Sequence, residues 1–256
     1  MEDRIYLHFK NDEEFVKNVL DFRFRALENY EIILTSFLDL HRIDIIKKVI
    51  GKKDGLKIIT YGGIDDSDYQ RVIICRSDIE ISEKDFNITK IRIKYNNKFS
   101  SIRHKDVLGA LISLGVKREV FGDILLDENN CYFVCDSNIY MYIFMNLTQI
   151  ARTKVTLEEV SLNLTKNQTY KKKTFFIASF RLDVIISTVF SISRSKAKEY
   201  ILGNLVKVNH KEVELVAFLC HNNDMISLRK FGRVIIKDLS KTTRGNNHII
   251  EGWFYE

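Results

Sequence analysis

The chain has 256 residues, 45% of them hydrophobic and 29% charged, with a formal net charge of +6. That composition fits a globular protein long enough for two or three domains, and it excludes a disordered tail, a collagen-like chain and a disulfide mini-scaffold. The four cysteines (Cys75, Cys131, Cys135, Cys220) have no metal-pair spacing, so reduced thiols in a cytoplasmic protein without metal or cofactor are expected.

In chain order, no secretory signal is expected from the opening Met1-Glu2-Asp3-Arg4. Apolar residues at Phe15, Val16, Val19 and Leu20 give the i, i+3, i+4 spacing of a helix within Asp12–Tyr30. A second helix is expected over Asp39–Ile50, stopped by Gly51. Strands follow at Leu56–Tyr61, before Gly62-Gly63, and at Gln70–Cys75. Ile88–Tyr95 alternates with the period of a half-buried strand. A helix over Lys105–Leu114 ends at Gly115, and Asp123–Leu126, Cys131–Cys135 and Lys154–Leu164 read as strands. The helix across Ile139–Ala151 contains the longest apolar stretch, too short for the ~20 residues of a membrane span. The chain has no proline, so caps and glycines must mark the ends of elements.

These elements describe an α+β protein: an N-terminal unit over 1–80 and a small ferredoxin- or RRM-like middle domain over 81–165. Residues 166–178 are polar and basic and read as a linker, followed by a third domain over 179–245 and a tail over 246–256. The charge is unevenly spread. Residues 1–165 carry 24 Lys+Arg against 26 Asp+Glu, whereas 166–256 carry 16 against 8. The basic excess is either the footprint of a polyanion binder or a solvated lysine-rich surface.

In the third domain Arg181-Leu182-Asp183 opens one helix, and Ser193, a good N-cap, opens the next. Strands are expected at Val206–Val208 and Glu212–Val216, joined through Asn209-His210, and at Asp224–Leu228 and Val234–Lys237. The run Arg181-Leu182-Asp183, Ser193-Arg194-Ser195-Lys196-Ala197, Val206-Lys207-Val208-Asn209 and Asp224 resembles the S-four (αL-type) RNA-binding domain. His210 departs from it, standing where that family commonly has glycine. The resemblance implies phosphate contacts from Arg181, Arg194, Ser195, Lys196 and Lys198, with Lys207, Lys211, Arg229 and Lys230 extending the surface. Helix openings with free N–H groups and cations suit that task. Asp183 reads as a partner for Arg181 or as a helix-start carboxylate.

The stretch Arg103–Ile124 resembles the central signature of the YlmH family, as do Phe37-Leu38-Asp39, Tyr61-Gly62-Gly63, Asp68 and Arg71; Leu40 stands where proline is common. Within that signature Gly109, Gly115 and Gly122 suit close packing or left-handed turns, and His104 suits a helix start better than a general base. Lys117 and Arg118 either form a second RNA contact or complement a helix dipole.

The family resemblance implies a non-enzymatic, ribosome-associated RNA binder. Its expected partners are large-subunit ribosomal RNA, peptidyl-tRNA and the ribosome, with no membrane contact, and its expected role is the rescue of stalled translation. A monomer is expected. Two alternatives stand beside this reading. A pseudouridine synthase would use an aspartate in an Arg-Leu-Asp context, but only 73 residues follow Asp183, too few for a separate catalytic domain. A scaffold at the division site, binding protein or membrane, is the other.

Overall fold

The computed structural model describes residues 12–51, 55–96, 102–126, 130–166 and 170–255. The expectation for Met1–Arg4 lies outside them, as do residues 167–169 of the expected linker. The chain divides into two units, Met1–Asn167 and Gln168–Glu256.

In the first unit, helix α1 (Glu13–Glu28) turns Val16, Val19 and Ala26 inward. Strands β1 (Ile33–Leu34) and β2 (Leu38–Asp39) lead into α2 (Leu40–Ile50). Asp39 caps α2 by accepting the Arg42 amide at 2.9 Å, and Leu40 is the first helical residue. First-turn amides lack helical partners, so that position takes leucine or proline with equal ease. Strands β3 (Leu56–Tyr61), β4 (Ile64–Asp65) and β5 (Tyr69–Arg76) follow. β5 is central: β3 runs along one edge, while β1 and β2 share the other. Val19, Ile43 and Ile46 of the two helices pack on Val72 and Ile74.

The chain continues through β6 (Ile88–Lys94), α3 (His104–Ser113), β7 (Phe121–Leu126), β8 (Cys131–Asp136) and α4 (Ser137–Asn146). A small hairpin, β9 (Gln149–Ile150) and β10 (Thr153–Lys154), precedes β11 (Thr156–Glu159). The sheet order β11-β6-β8-β7, antiparallel throughout, is the βαββαβ arrangement of ferredoxin-like folds. Alternation assigns its faces. Cys131, Phe133 and Cys135 meet Val107, Leu111 and Ile143 of the helices, while Tyr132 and Val134 point the other way, onto Phe37 and Ile64. β12 (Leu164–Thr165) then pairs in parallel with β4, tying the middle elements to the N-terminal ones.

Two expectations change here. The helix expected over Ile139–Ala151 ends at Asn146, whose side-chain amide donates to the Tyr142 carbonyl at 2.7 Å; Ala151, at φ +51°, turns the hairpin that follows. The strand expected over Lys154–Leu164 is consequently three short ones.

The second unit is a six-stranded antiparallel sheet under two helices. Its elements are β13 (Tyr170–Ile177), α5 (Leu182–Val189), α6 (Arg194–Leu202), β14 (Val206–Val208), β15 (Lys211–Glu212), β16 (Met225–Leu228), β17 (Gly232–Thr242) and β18 (His248–Tyr255). The strand order is β13-β18-β17-β16-β14-β15. Leu182, Ile185, Ile186, Ala197 and Ile201 pack on Val206, Ile226, Val234, Ile236 and Ile250.

The residues expected as a linker and a tail are therefore strands: 170–177 pair with 248–255 over eight residues. The segment expected as a strand over Glu212–Val216 is one only as far as Glu212, since the β14–β15 ladder has two pairs. Asn209 and His210, at φ +50° and +69°, form the two-residue loop of that hairpin, so His210 takes the left-handed conformation that glycine would supply.

Candidate nucleic-acid interface

The α5 opening is fixed by backbone bonds on both sides: the Leu182 amide donates to the Phe218 carbonyl at 2.8 Å and the Cys220 amide to the Phe180 carbonyl at 2.9 Å. Arg181 is the residue before the helix and Asp183 lies in its first turn. Ser193 caps α6, its hydroxyl accepting the Lys196 amide at 3.2 Å and lying 3.0 Å from the Ser195 hydroxyl.

The two openings meet at one carboxylate. Arg181 Nε donates to Asp183 Oδ1 at 3.0 Å, and Arg194 Nε donates to Asp183 Oδ2 at 2.9 Å. The Asp183 side chain is wholly buried, whereas those of Arg181 and Arg194 remain 38% and 55% exposed. Burial pushes the Asp183 carboxyl up, but the hydrogen bonds from Arg181 and Arg194 outweigh it and hold it below the usual carboxylate range. The same bond raises the Arg181 guanidinium above its ordinary value. A buried anion thus orients two forked cations toward solvent, a geometry suited to phosphate oxygens. Ser195, Lys196 and Lys198 stand exposed along α6 beside them.

The remaining cations of the expected surface do not all join this pair. Lys207 points from the sheet face opposite that of Val206 and Val208, which enter the core, and pairs with Glu212 at 3.4 Å. Arg229 and Lys230 are exposed at the β16–β17 turn; the Arg229 amide donates to the Leu205 carbonyl at 2.9 Å, which puts them past the C-terminal end of α6, away from Arg194. Lys211 is exposed on the edge strand β15.

In the first unit Lys117 is exposed, but Arg118 is committed inward. It donates to the Phe121 carbonyl and lies 4.2 Å from the centre of the Tyr69 ring. The side chain, still half-exposed, thereby braces the entry to β7. Gly122, next to it, meets the close-packing expectation, since a Cβ there would lie 2.4 Å from Val134 Cγ2. Gly115 is left-handed at φ +80°, whereas Gly109 faces open space and needs neither property. His104 is the first residue of α3. The middle sheet is also unlike an RRM in one respect that matters. RRMs stack bases on the sheet face away from the helices, and here Tyr132 and Val134 on that face are 8% and 0% exposed beneath Phe37 and Ile64.

Sequence reading pairs Asp183 with Arg181, its near neighbour. It does not reach Arg194, eleven residues on, because only the packing of α5 on α6 brings the two together.

Two short helices opening on arginines over an antiparallel sheet define an S4-type RNA-binding module, and the "S4 domain" family model matches residues 180–226. "YlmH, N-terminal" matches residues 11–79, and "Putative RNA-binding domain in YlmH" matches 82–164. The chain belongs to the YlmH family. It is 31% identical over 243 residues to the Ribosome-associated protein quality control protein P2 of Bacillus subtilis (strain 168), covering 94% of each chain. Among solved structures it resembles the Cell division protein ylmH from Streptococcus pneumoniae, with a TM-score of 0.51 and 30% identity over 59% of this chain and 91% of that one.

Proposed function

We propose that this protein is a non-enzymatic, cytoplasmic RNA binder that associates with the large ribosomal subunit carrying peptidyl-tRNA and assists the rescue of stalled translation. The observation that carries the reading is the Arg181–Asp183–Arg194 cluster, in which a buried carboxylate aims two guanidinium groups outward from adjoining helix openings. Such a pair grips the phosphate backbone of folded RNA and reads its shape, because the deep groove of an A-form helix is closed to side chains. The name of the Bacillus subtilis relative, which places that protein on the ribosome in quality control, supports the choice of partner. The protein acts as a monomer that holds ribosomal RNA and tRNA in a fixed relation while the ribosome extends an obstructed chain.

Sedimentation of a lysate through sucrose at low and high salt tests this. Wild-type protein should travel with large subunits at low salt and leave them as salt rises, log affinity falling by roughly 0.7–0.9 per phosphate contact per log unit of salt. The Arg181→Ala/Arg194→Ala variant should stay at the top of the gradient with its fold intact. Full co-sedimentation of that variant overturns the site. Association indifferent to salt overturns the RNA reading in favour of a protein scaffold at the division site; the Streptococcus pneumoniae relative is named a cell division protein.

A further inference from the structure

The six-stranded sheet of the second unit has two faces of different character. One packs on α5 and α6. On the other, register places Tyr170 beside Tyr255 and Lys172 beside Trp253 across the β13–β18 pair. β17 adds Arg233 and Lys237 on the same side, since Ile235 lies opposite Trp253 and side chains alternate. The rings form a cluster: Tyr170 lies 5.5 Å from Trp253 and 5.3 Å from Tyr255, centre to centre. Each neighbouring cation sits over a ring, Lys172 and Lys237 at 4.1 and 4.7 Å from the centre of Trp253 and Arg233 at 4.5 Å from that of Tyr255. The carboxylate among them is Glu251, which accepts the Trp253 indole N–H at 3.0 Å. Phe176, 57% exposed, extends the ring surface along β13.

We infer that this open sheet face is a second RNA surface, which takes unpaired nucleotides by stacking bases on Trp253, Tyr255 and Tyr170 while Lys172, Lys237 and Arg233 meet the phosphates. Among the described residues, three cations against one carboxylate fit a polyanion, and aromatic rings interleaved with them fit a polyanion whose units carry flat π-faces. A base entering the cluster displaces a lysine from the ring it covers. The freed ammonium then has a phosphate within reach of its flexible stem. This face and the Asp183 cluster lie on opposite sides of the sheet and recognise different things: stacked single strand on one, the backbone of folded RNA on the other. The inference rests on the proposed function only in taking RNA as the ligand.

Trp253 is the sole tryptophan of the chain, so its emission reports on this face directly. Full-length protein is titrated with a single-stranded oligoadenylate of about ten nucleotides, within the range one such surface covers, and with a blunt RNA hairpin. The single strand should quench Trp253 and the hairpin should not. Binding of labelled oligoadenylate should weaken by about tenfold in Trp253→Ala, the loss expected for one stacked base, and survive in Trp253→Phe. Lys172→Ala/Lys237→Ala, a surface change that leaves the core untouched, should weaken it and flatten its salt dependence. Quenching should persist in Arg181→Ala/Arg194→Ala. The inference is overturned if the single strand leaves the emission unchanged, or if vesicles containing phosphatidylserine shift it and oligoadenylate does not. It is also overturned if the arginine variant abolishes the quenching, which would put the ligand at the helix openings. Persistent quenching without ribosome association would sink the proposed function and leave this inference standing.

Discussion

Arg194 Nε donates to Asp183 Oδ2 at 2.9 Å, tying the first residue of α6 to the first turn of α5. The bond makes the angle between two helix openings depend on one buried carboxylate, which also accepts from Arg181. Asp183→Asn keeps the shape but removes the charge that orients both guanidinium groups. It should weaken binding to an RNA hairpin even though Asp183 itself faces no ligand. Because both arginines are partly exposed, the cost in stability should be modest, about 1–2 kcal/mol. Urea unfolding and hairpin affinity, measured on the same variant, check the two effects separately. Affinity equal to wild type would show that the arginines need no orienting partner.

The same carboxylate sets a pH dependence. Its folded-state pKa lies below the unfolded value of about 3.9, so the ionised form favours the folded state. The stability it contributes is complete above the unfolded pKa and is lost as pH falls through the lower folded value. Thermal melts should therefore show no pH dependence from this group between about pH 5 and 8, where its contribution is full, and a loss below about pH 4. Asp183→Asn should reduce that acid loss relative to wild type. An acid limb of equal size in both proteins would mean other carboxylates account for it.

The hairpin loop offers a gain in stability. Asn209 has a reason to be where it is: its side-chain amide donates to Asp224 Oδ1 at 2.7 Å and its carbonyl oxygen accepts the Met225 amide at 2.9 Å. His210 occupies the second left-handed position, where a Cβ costs energy and glycine does not. His210→Gly restores the Asn-Gly pair that two-residue hairpins favour. Relief of strain exceeds the entropy that glycine adds to the unfolded chain, so a net gain of about 0.5–1 kcal/mol is expected. Asn209→Ala should destabilise instead. Urea midpoints of the two variants should move in opposite directions.

How much of this was legible in the sequence depended on where hydrophobic pattern meets a continuous core. Phe15–Leu20, Val107–Leu114 and Leu182–Val189 each bury one stripe, and their helices are read to within a few residues. β13 was not legible, because Lys171, Lys172 and Lys173 are all exposed and only Phe175 and Ile177 reach the helices, too few to set a period. β18 failed for a related reason: its glycine and mixed aromatics hide an alternation that only its neighbours β13 and β17 reveal. In the candidate site, residue identities were legible from the S-four pattern. The grouping was not, since Lys207 and Arg194 look alike in the sequence, yet Arg194 stands at the opening of α6 and Lys207 on the face of β14 turned from the core.

Arg71, close in the sequence to Asp68, resembles a site residue by type, yet its surroundings make it structural. It is 6% exposed; its Nε donates to the Thr35 carbonyl at 2.8 Å and its Nη1 to the Asn87 carbonyl at 3.1 Å, with Asp136 Oδ2 at 3.2 Å. Burial lowers its pKa and Asp136 opposes that shift. One guanidinium thus joins the chain before β2, the start of β6 and the end of β8. Arg71→Met fills the volume but strands two carbonyls and the carboxylate. Asp136 would still accept from the Asn87 side chain and the Asn138 amide, so the loss should fall near the lower end for a broken buried pair, about 3 kcal/mol. Arg71→Lys should rescue little, because an ammonium cannot span acceptors that a planar fork reaches together. The measurement is the urea midpoint of the first unit, followed alongside hairpin binding by the second. A large shift in the first with unchanged affinity in the second is expected, and lost RNA affinity in a folded Arg71→Met protein would show that Arg71 contacts RNA.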